Sequence, residues 1–162
     1  MNNDLLAPIG SRTAPPIVSG RGGDTAMPLS LARRLELIDG LVGLRGRRIL
    51  DCGCGRGAYV AAMRARGADA VGIEYDLGKV RSTANGSSPR TVIAGDALDL
   101  PFRPHAFDVV VMNETIEHFP DDRRALVAAH HVLKPGGTLL VLAPNRLYPF
   151  ETHGTYLRGR SR

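Results

Sequence analysis

The sequence has no tryptophan, 5% aromatic residues, two cysteines, and only Lys79 and Lys134 as lysines in 162 residues. Each shortage excludes something. Cys52 and Cys54 stand one residue apart, which is neither the spacing of a redox pair nor that of a zinc knuckle, and no second Cys/His pair lies nearby. His130 and His131 are adjacent on a predicted helix, so they point apart and cannot share a metal. No disulfide and no metal site are expected. No stretch approaches the roughly 18 consecutive apolar residues that a membrane span needs. Residues Met1 to Gly10 have no basic region followed by an apolar run, so no secretory signal is read and the expected compartment is the cytoplasm. The net charge of +5 is carried by scattered arginines such as Arg47, Arg48, Arg123, Arg124 and the closing Arg158, Arg160 and Arg162. A nucleic-acid surface would show a basic stripe interleaved with aromatics, which is absent here.

What is present is ordinary for one globular domain: 43% hydrophobic and 23% charged residues,. Residues 1–28, rich in Pro, Gly, Ser and Asn, read as a mobile leader. From Leu29 the positions Leu31, Leu35, Ile38, Leu41 and Val42 recur at helical spacing, with Ser30 as the expected N-cap. Strands and helices then alternate: strand Arg48–Asp51, helix Ala58–Arg66 closed by Gly67, strand Ala70–Tyr75 and helix Leu77–Ala84. They continue with strand Thr91–Ala94, strand Phe107–Met112, helix Asp121–Leu133 stopped by Pro135-Gly136-Gly137, and strand Thr138–Ala143. Such βα units predict an α/β domain over 29–150, a mainly parallel five-stranded sheet flanked by helices. Residues 151–162 read as a basic tail.

In such sheets ligands bind at the carboxyl ends of the strands. The first strand runs into Asp51-Cys52-Gly53-Cys54-Gly55-Arg56-Gly57. Glycines at alternate positions let the backbone turn tightly and approach a ligand as no Cβ would allow. Asp51 before the loop would repel a diphosphate but not the ammonium and sulfonium of S-adenosylmethionine. Glu74, about 20 residues on, ends the second strand where an acid takes the ribose hydroxyls, and Tyr75 beside it could lie against an adenine. Asp96 and the backbone of Ala97, after the third strand, could read the adenine amino group and ring. The alternative there is an Asx-turn that merely closes the strand. After the fourth strand, Asn113-Glu114-Thr115-Ile116-Glu117-His118-Phe119 puts polar groups at the reactive end. Asn113 is the expected contact, through its backbone carbonyl. His118 is a candidate base whose pKa can be tuned near neutrality, or a residue that positions the loop.

These segments together resemble the class I S-adenosylmethionine-dependent methyltransferases. Ile49 to Gly57 is similar to their motif I and Val71 to Asp76 to the acidic segment that follows. Ala94 to Ala97 resembles motif II, and Phe107 to Phe119 and Leu133 to Leu139 match the rest. Within the superfamily the chain looks most like the branch holding the ubiquinone/menaquinone methyltransferases and many small-molecule O-, N- and C-methyltransferases. The resemblance implies a Rossmann-like sheet of order 3-2-1-4-5-7-6, S-adenosylmethionine as cofactor, a small-molecule acceptor, and Asp51, Gly53, Gly55, Gly57, Glu74, Tyr75, Asp96, Ala97 and Asn113 around the cofactor. The sequence departs from the family after the fifth strand, where no strands for the closing hairpin are read. The fifth strand is therefore expected as an exposed apolar edge prone to self-association.

Three alternatives compete. A dinucleotide-dependent oxidoreductase fits the loose pattern Gly53-x-Gly55-x-x-Ala58, but not Asp51 before the loop or the later segments. An RNA methyltransferase fits the charge, whereas Asn113 to Ile116 is not the cluster that grips a flipped base. A cofactor-binding fragment without turnover fits the short C-terminus. If a base is needed, His118, Glu117, Tyr148, Glu151 and His153 are the candidates.

Overall fold

The computed structural model describes residues 28–83, 91–143, 156–157 and 160–161. Helix α1 spans Pro28–Val42, β1 Arg48–Cys52, α2 Ala58–Ala65, β2 Asp69–Glu74, α3 Leu77–Thr83 and β3 Val92–Ala94. Then come β4 Phe107–Asn113, one turn of 3-10 helix Ile116–His118, α4 Asp122–Val132 and β5 Leu133–Leu142. Strands β1 to β5 form one sheet in the order β3-β2-β1-β4-β5, and every pairing in it is parallel. This is the predicted α/β architecture in the predicted order.

Strand alternation divides the core into two layers. Ile49 of β1 and Val109 and Val111 of β4 join Leu35, Ile38 and Val42 of α1 and Val60 and Met63 of α2 on one face. Leu50, Val110 and Met112 join Ala125, Ala129 and Val132 of α4 on the other. Val109, Val110 and Val111 are all fully buried, as the unbroken apolar run of a strand covered on both faces requires. At the foot of β4, Phe107 meets Phe102 edge-on with ring centroids 4.9 Å apart, a favoured aromatic geometry.

The helix ends follow local chemistry. The amide of Gly43, at φ +63°, donates to Asp39 O, so α1 closes on a left-handed glycine. Gly67 closes α2 in the same manner, at φ +89°. Asp121 caps α4, its carboxylate accepting from Arg124 N at 2.9 Å.

Besides one-residue shifts at other element ends, three features differ from the sequence reading. Ser30 does not cap α1: the helix begins at Pro28, whose fixed φ and missing N–H suit a first turn. Strand β5 begins at Leu133, directly after α4, and not at Thr138. Pro135-Gly136-Gly137 forms an irregularity inside the strand, because the register moves from Phe107↔Leu133 to Val109↔Thr138 across it. Leu133 is already extended, at φ −73° and ψ 138°; Pro135 likewise pushes Lys134 out of the helical region. The segment read as a tail holds a two-residue antiparallel pair, β6 Tyr156–Leu157 with β7 Arg160–Ser161, in a sheet of its own. The leader expectation falls outside the described residues apart from Pro28.

Candidate functional site

The residues singled out in sequence converge at the carboxyl ends of four neighbouring strands. Asp51 is the second-to-last residue of β1, Glu74 ends β2, Asp96 and Ala97 follow β3, and Asn113 ends β4. The sheet order places these four strands side by side.

The loop from β1 to α2 is built on glycine. Gly53, Gly55 and Gly57 have φ of +75°, +58° and +77°, a region costly for any residue with a Cβ. A Cβ at Gly53 would lie 2.5 Å from Cγ2 of Thr115, whereas at Gly55 nothing stands within 4 Å. The first glycine therefore answers to protein packing and the second faces open space. Amides of Gly53 and Cys54 both donate to Ile73 O, at 2.8 and 3.1 Å, pinning the loop to β2.

Glu74 is buried, and each of its carboxylate oxygens accepts a backbone amide. Oε2 takes Gly55 N at 2.8 Å and Oε1 takes Asp76 N at 2.9 Å. These bonds fix its rotamer and hold the glycine loop in place. A carboxylate has about four acceptor positions, so roughly two remain for hydroxyls of a ligand. Asp51 is 2% exposed. Its pKa is pushed up to about 7, first by burial and then by the charge of Glu74 on the adjacent strand,. Burial also pushes both neighbouring thiols up, with Asp51 adding to it, so Cys52 and Cys54 are unreactive packing groups.

Tyr75 is half-buried beside Glu74, and Ala97 is buried. Asp96 Oδ1 accepts Leu98 N at 2.8 Å, so the side chain does close an Asx-turn; its second oxygen is not engaged in that bond. Asn113 carries a buried Oδ1 that finds no hydrogen-bond partner among the described residues, an arrangement costly to maintain unless something else supplies a donor. His118 is exposed at the end of the 3-10 turn, and Glu117 precedes it, also exposed. Tyr148, Glu151 and His153 lie outside the described residues.

Two contacts had no local signal in the sequence. Arg34 of α1 forms an ion pair with Glu114, 80 residues away, and this pairing raises the arginine's pKa further. Glu114 sits at φ +52°, a left-handed conformation uncommon for a residue other than glycine. The pair ties the first helix to the turn after β4. Thr115, 63 residues from Cys52, donates its hydroxyl to Cys52 O at 3.1 Å. A helix arginine is normally a solvated residue, and a loop threonine carries no partner label, so only the assembled sheet reveals them.

No group of three or more His, Cys, Asp or Glu among the described residues could hold a metal ion, and no described helix is long and apolar enough to cross a membrane.

Comparison with known proteins agrees with this geometry. The methyltransferase domain family matches residues 50–141. A ubiquinone biosynthesis O-methyltransferase of Pseudomonas aeruginosa strain UCBPP-PA14 is 35% identical over 120 residues, 70% of this chain and 51% of the relative. The chain thus spans about half the length of the curated relatives it matches. Among solved structures, YcgJ of Bacillus subtilis is 26% identical with a TM-score of 0.62, over 68% of this chain and 50% of that one. An S-adenosylmethionine-dependent methyltransferase of Thermotoga maritima is 27% identical with a TM-score of 0.58 over the same shares. With the whole glycine loop and strands β2, β3 and β4 inside the matched region, and most of β1 and β5 as well, the chain belongs to the methyltransferase domain family.

Proposed function

We propose that the chain binds S-adenosylmethionine across the ends of β1, β2, β3 and β4 and transfers its methyl group to O, N or C of a small-molecule acceptor. The observation that carries this reading is the cradle at Gly55. A left-handed glycine faces open space, its amide is held by the buried Glu74, and Asn113 offers a buried acceptor without a donor. Glu74 then receives the ribose hydroxyls, Tyr75 lies along the adenine, and the free carboxylate oxygen of Asp96 with the Ala97 amide reads its edge. Asn113 also presents its backbone carbonyl, and Asp51 supplies a negative potential beneath the loop. Gly53 and Gly57 shape the loop from either side.

Bound there, the cofactor supplies an already activated sulfonium methyl for displacement by a nucleophile. The protein's contribution is proximity and alignment. Where the acceptor must lose a proton, the exposed His118 after β4 is the candidate to take it,. The same reading assigns residues 29–150 to the catalytic domain and places the protein in the cytoplasm, in keeping with two free, buried cysteines.

The test is calorimetric titration with S-adenosylmethionine and S-adenosylhomocysteine. Micromolar binding is expected. Gly55→Val, which forces a β-branched residue to φ +58°, and Glu74→Ala, which strands two amides, should each weaken it at least about tenfold. A folded, monodisperse protein that binds neither ligand would sink the proposal.

A further inference from the structure

Thr115 stands two residues beyond β4, at the entrance to the 3-10 turn, yet its side chain makes no capping bond there. It reaches instead across the sheet edge to the β1 loop. Its hydroxyl donates to the carbonyl of Cys52, the last residue of β1, and its methyl lies over Gly53. A Cβ on that glycine would fall 2.5 Å from Cγ2 and 2.9 Å from Cβ of Thr115, so the threonine fills the volume a side chain at 53 would need. The two contacts are complementary. One holds the backbone just before the glycine loop, and the other fixes how closely the turn after β4 approaches it.

The strands beneath explain why such a tie matters. Cys52 is in register with Met112, so the sheet aligns β1 and β4 only up to their last residues. Beyond them the glycine loop and the Asn113–Thr115 turn leave the ladder. The loop is bonded to β2 through Ile73 O, and the amide of Glu114 is bonded to β5 through Leu142 O. Without Thr115 each wall is anchored to a different flanking strand, the loop to β2 and the turn to β5. Only a β-branched hydroxyl residue satisfies both contacts: serine keeps the hydroxyl and loses the methyl, and valine does the reverse.

We propose that Thr115 is a positioning residue that sets the separation of the two walls gripping the methyl-donor end of the cofactor. The assignment rests on the cofactor reading above. Thr115 touches neither reacting atoms nor cofactor; it acts through the Cys52–Gly53 backbone.

Thr115→Val and Thr115→Ser, made in the full chain, test it through three readouts. These are thermal unfolding of the ligand-free protein, amide hydrogen exchange of residues 53–57 without ligand, and calorimetric affinity for S-adenosylmethionine. Thr115→Val is expected to speed exchange across the glycine loop and to weaken binding about tenfold, the scale of one lost hydrogen bond, with the unfolding midpoint nearly unchanged. Thr115→Ser should retain affinity within about threefold. Unchanged loop exchange in Thr115→Val overturns the tie, whatever the binding shows. Faster exchange with unchanged affinity overturns the positioning role. Faster exchange in a protein whose parent binds no cofactor overturns the cofactor reading instead.

Discussion

Asp51 and Glu74 are two buried carboxylates on adjacent parallel strands, and their proximity makes the site responsive to pH. Burial first, and Glu74 second, lift the pKa of Asp51 from 3.8 to about 7. Because the folded value exceeds the unfolded one, the folded chain keeps a proton that the unfolded chain has released between about pH 4 and 7. Stability therefore falls as pH rises through that window, by a total on the order of 4 kcal/mol. A cationic ligand reverses the balance by favouring ionised Asp51. Affinity for S-adenosylmethionine is expected to rise about tenfold from pH 6 to pH 8, with release of a proton on binding at the lower pH. S-adenosylhomocysteine, which lacks the sulfonium, should show a shallower slope, and Asp51→Asn should flatten both. Titrations in buffers of different ionisation enthalpy count the proton; a pH-independent affinity in the parent chain would refute the linkage. At this scale the sequence was informative about place: it put Asp51, Glu74 and Asn113 at or next to the carboxyl ends of β1, β2 and β4. It was silent on Arg34 and Thr115, whose partners lie 80 and 63 residues away.

Elements are held in register by side chains as well as by ladders. Asp108 in β4 accepts Arg48 N of β1 at 2.8 Å through one oxygen and the ammonium of Lys134 in β5 at 2.7 Å through the other. A single carboxylate thus joins the feet of three strands. Its pKa is lowered: the burial that would raise it is outweighed by Lys134, the Arg48 amide and Arg47. A lowered value means stability present above about pH 4 and lost as pH falls through the folded pKa. Asp108→Ala leaves the Arg48 amide without its acceptor and is expected to cost about 1–3 kcal/mol in urea unfolding at pH 7. The same substitution should cost less in acid, at pH values below the parent's lowered Asp108 pKa, where the carboxylate has taken up its proton,. A loss that does not shrink in acid would assign the effect to packing alone. Removing the α4 cap by Asp121→Ala should cost about 1 kcal/mol in the same assay. The stop at Gly67 was legible because its chemistry is local, whereas the cap expected at Ser30 was not, since the helix starts earlier, at Pro28. The start of β5 was not, because proline and two glycines in a row signal a turn unless a neighbouring strand, here β4, supplies a ladder to continue into.

At the scale of the whole molecule, the order β3-β2-β1-β4-β5 leaves β5 with a single neighbour among the described residues. The alternation of βα units pointed to a parallel sheet and the family resemblance implied its strand order, whereas the contact of α1 with the turn after β4 had no such signal. The edge itself is apolar. Leu140 and Leu142 pack toward the face covered by α1 and α2, Leu139 toward the face covered by α4, and Val141 is 38% exposed. A strand of this composition presents unpaired amides and carbonyls beside exposed side chains, the arrangement that templates edge-to-edge pairing. We therefore expect concentration-dependent self-association in sedimentation velocity. Val141→Lys, which places a charge where natural edges carry one, should shift the protein to monomer while leaving cofactor affinity within about twofold, since Val141 lies on the far side of β4 from the glycine loop. A parent chain that sediments as a monomer at all concentrations would mean the edge is blunted by its own twist or by segments beyond the described residues. A parent that associates equally with Val141→Lys would move the interface elsewhere, with the exposed Leu37 and Leu41 of α1 the next surface to charge.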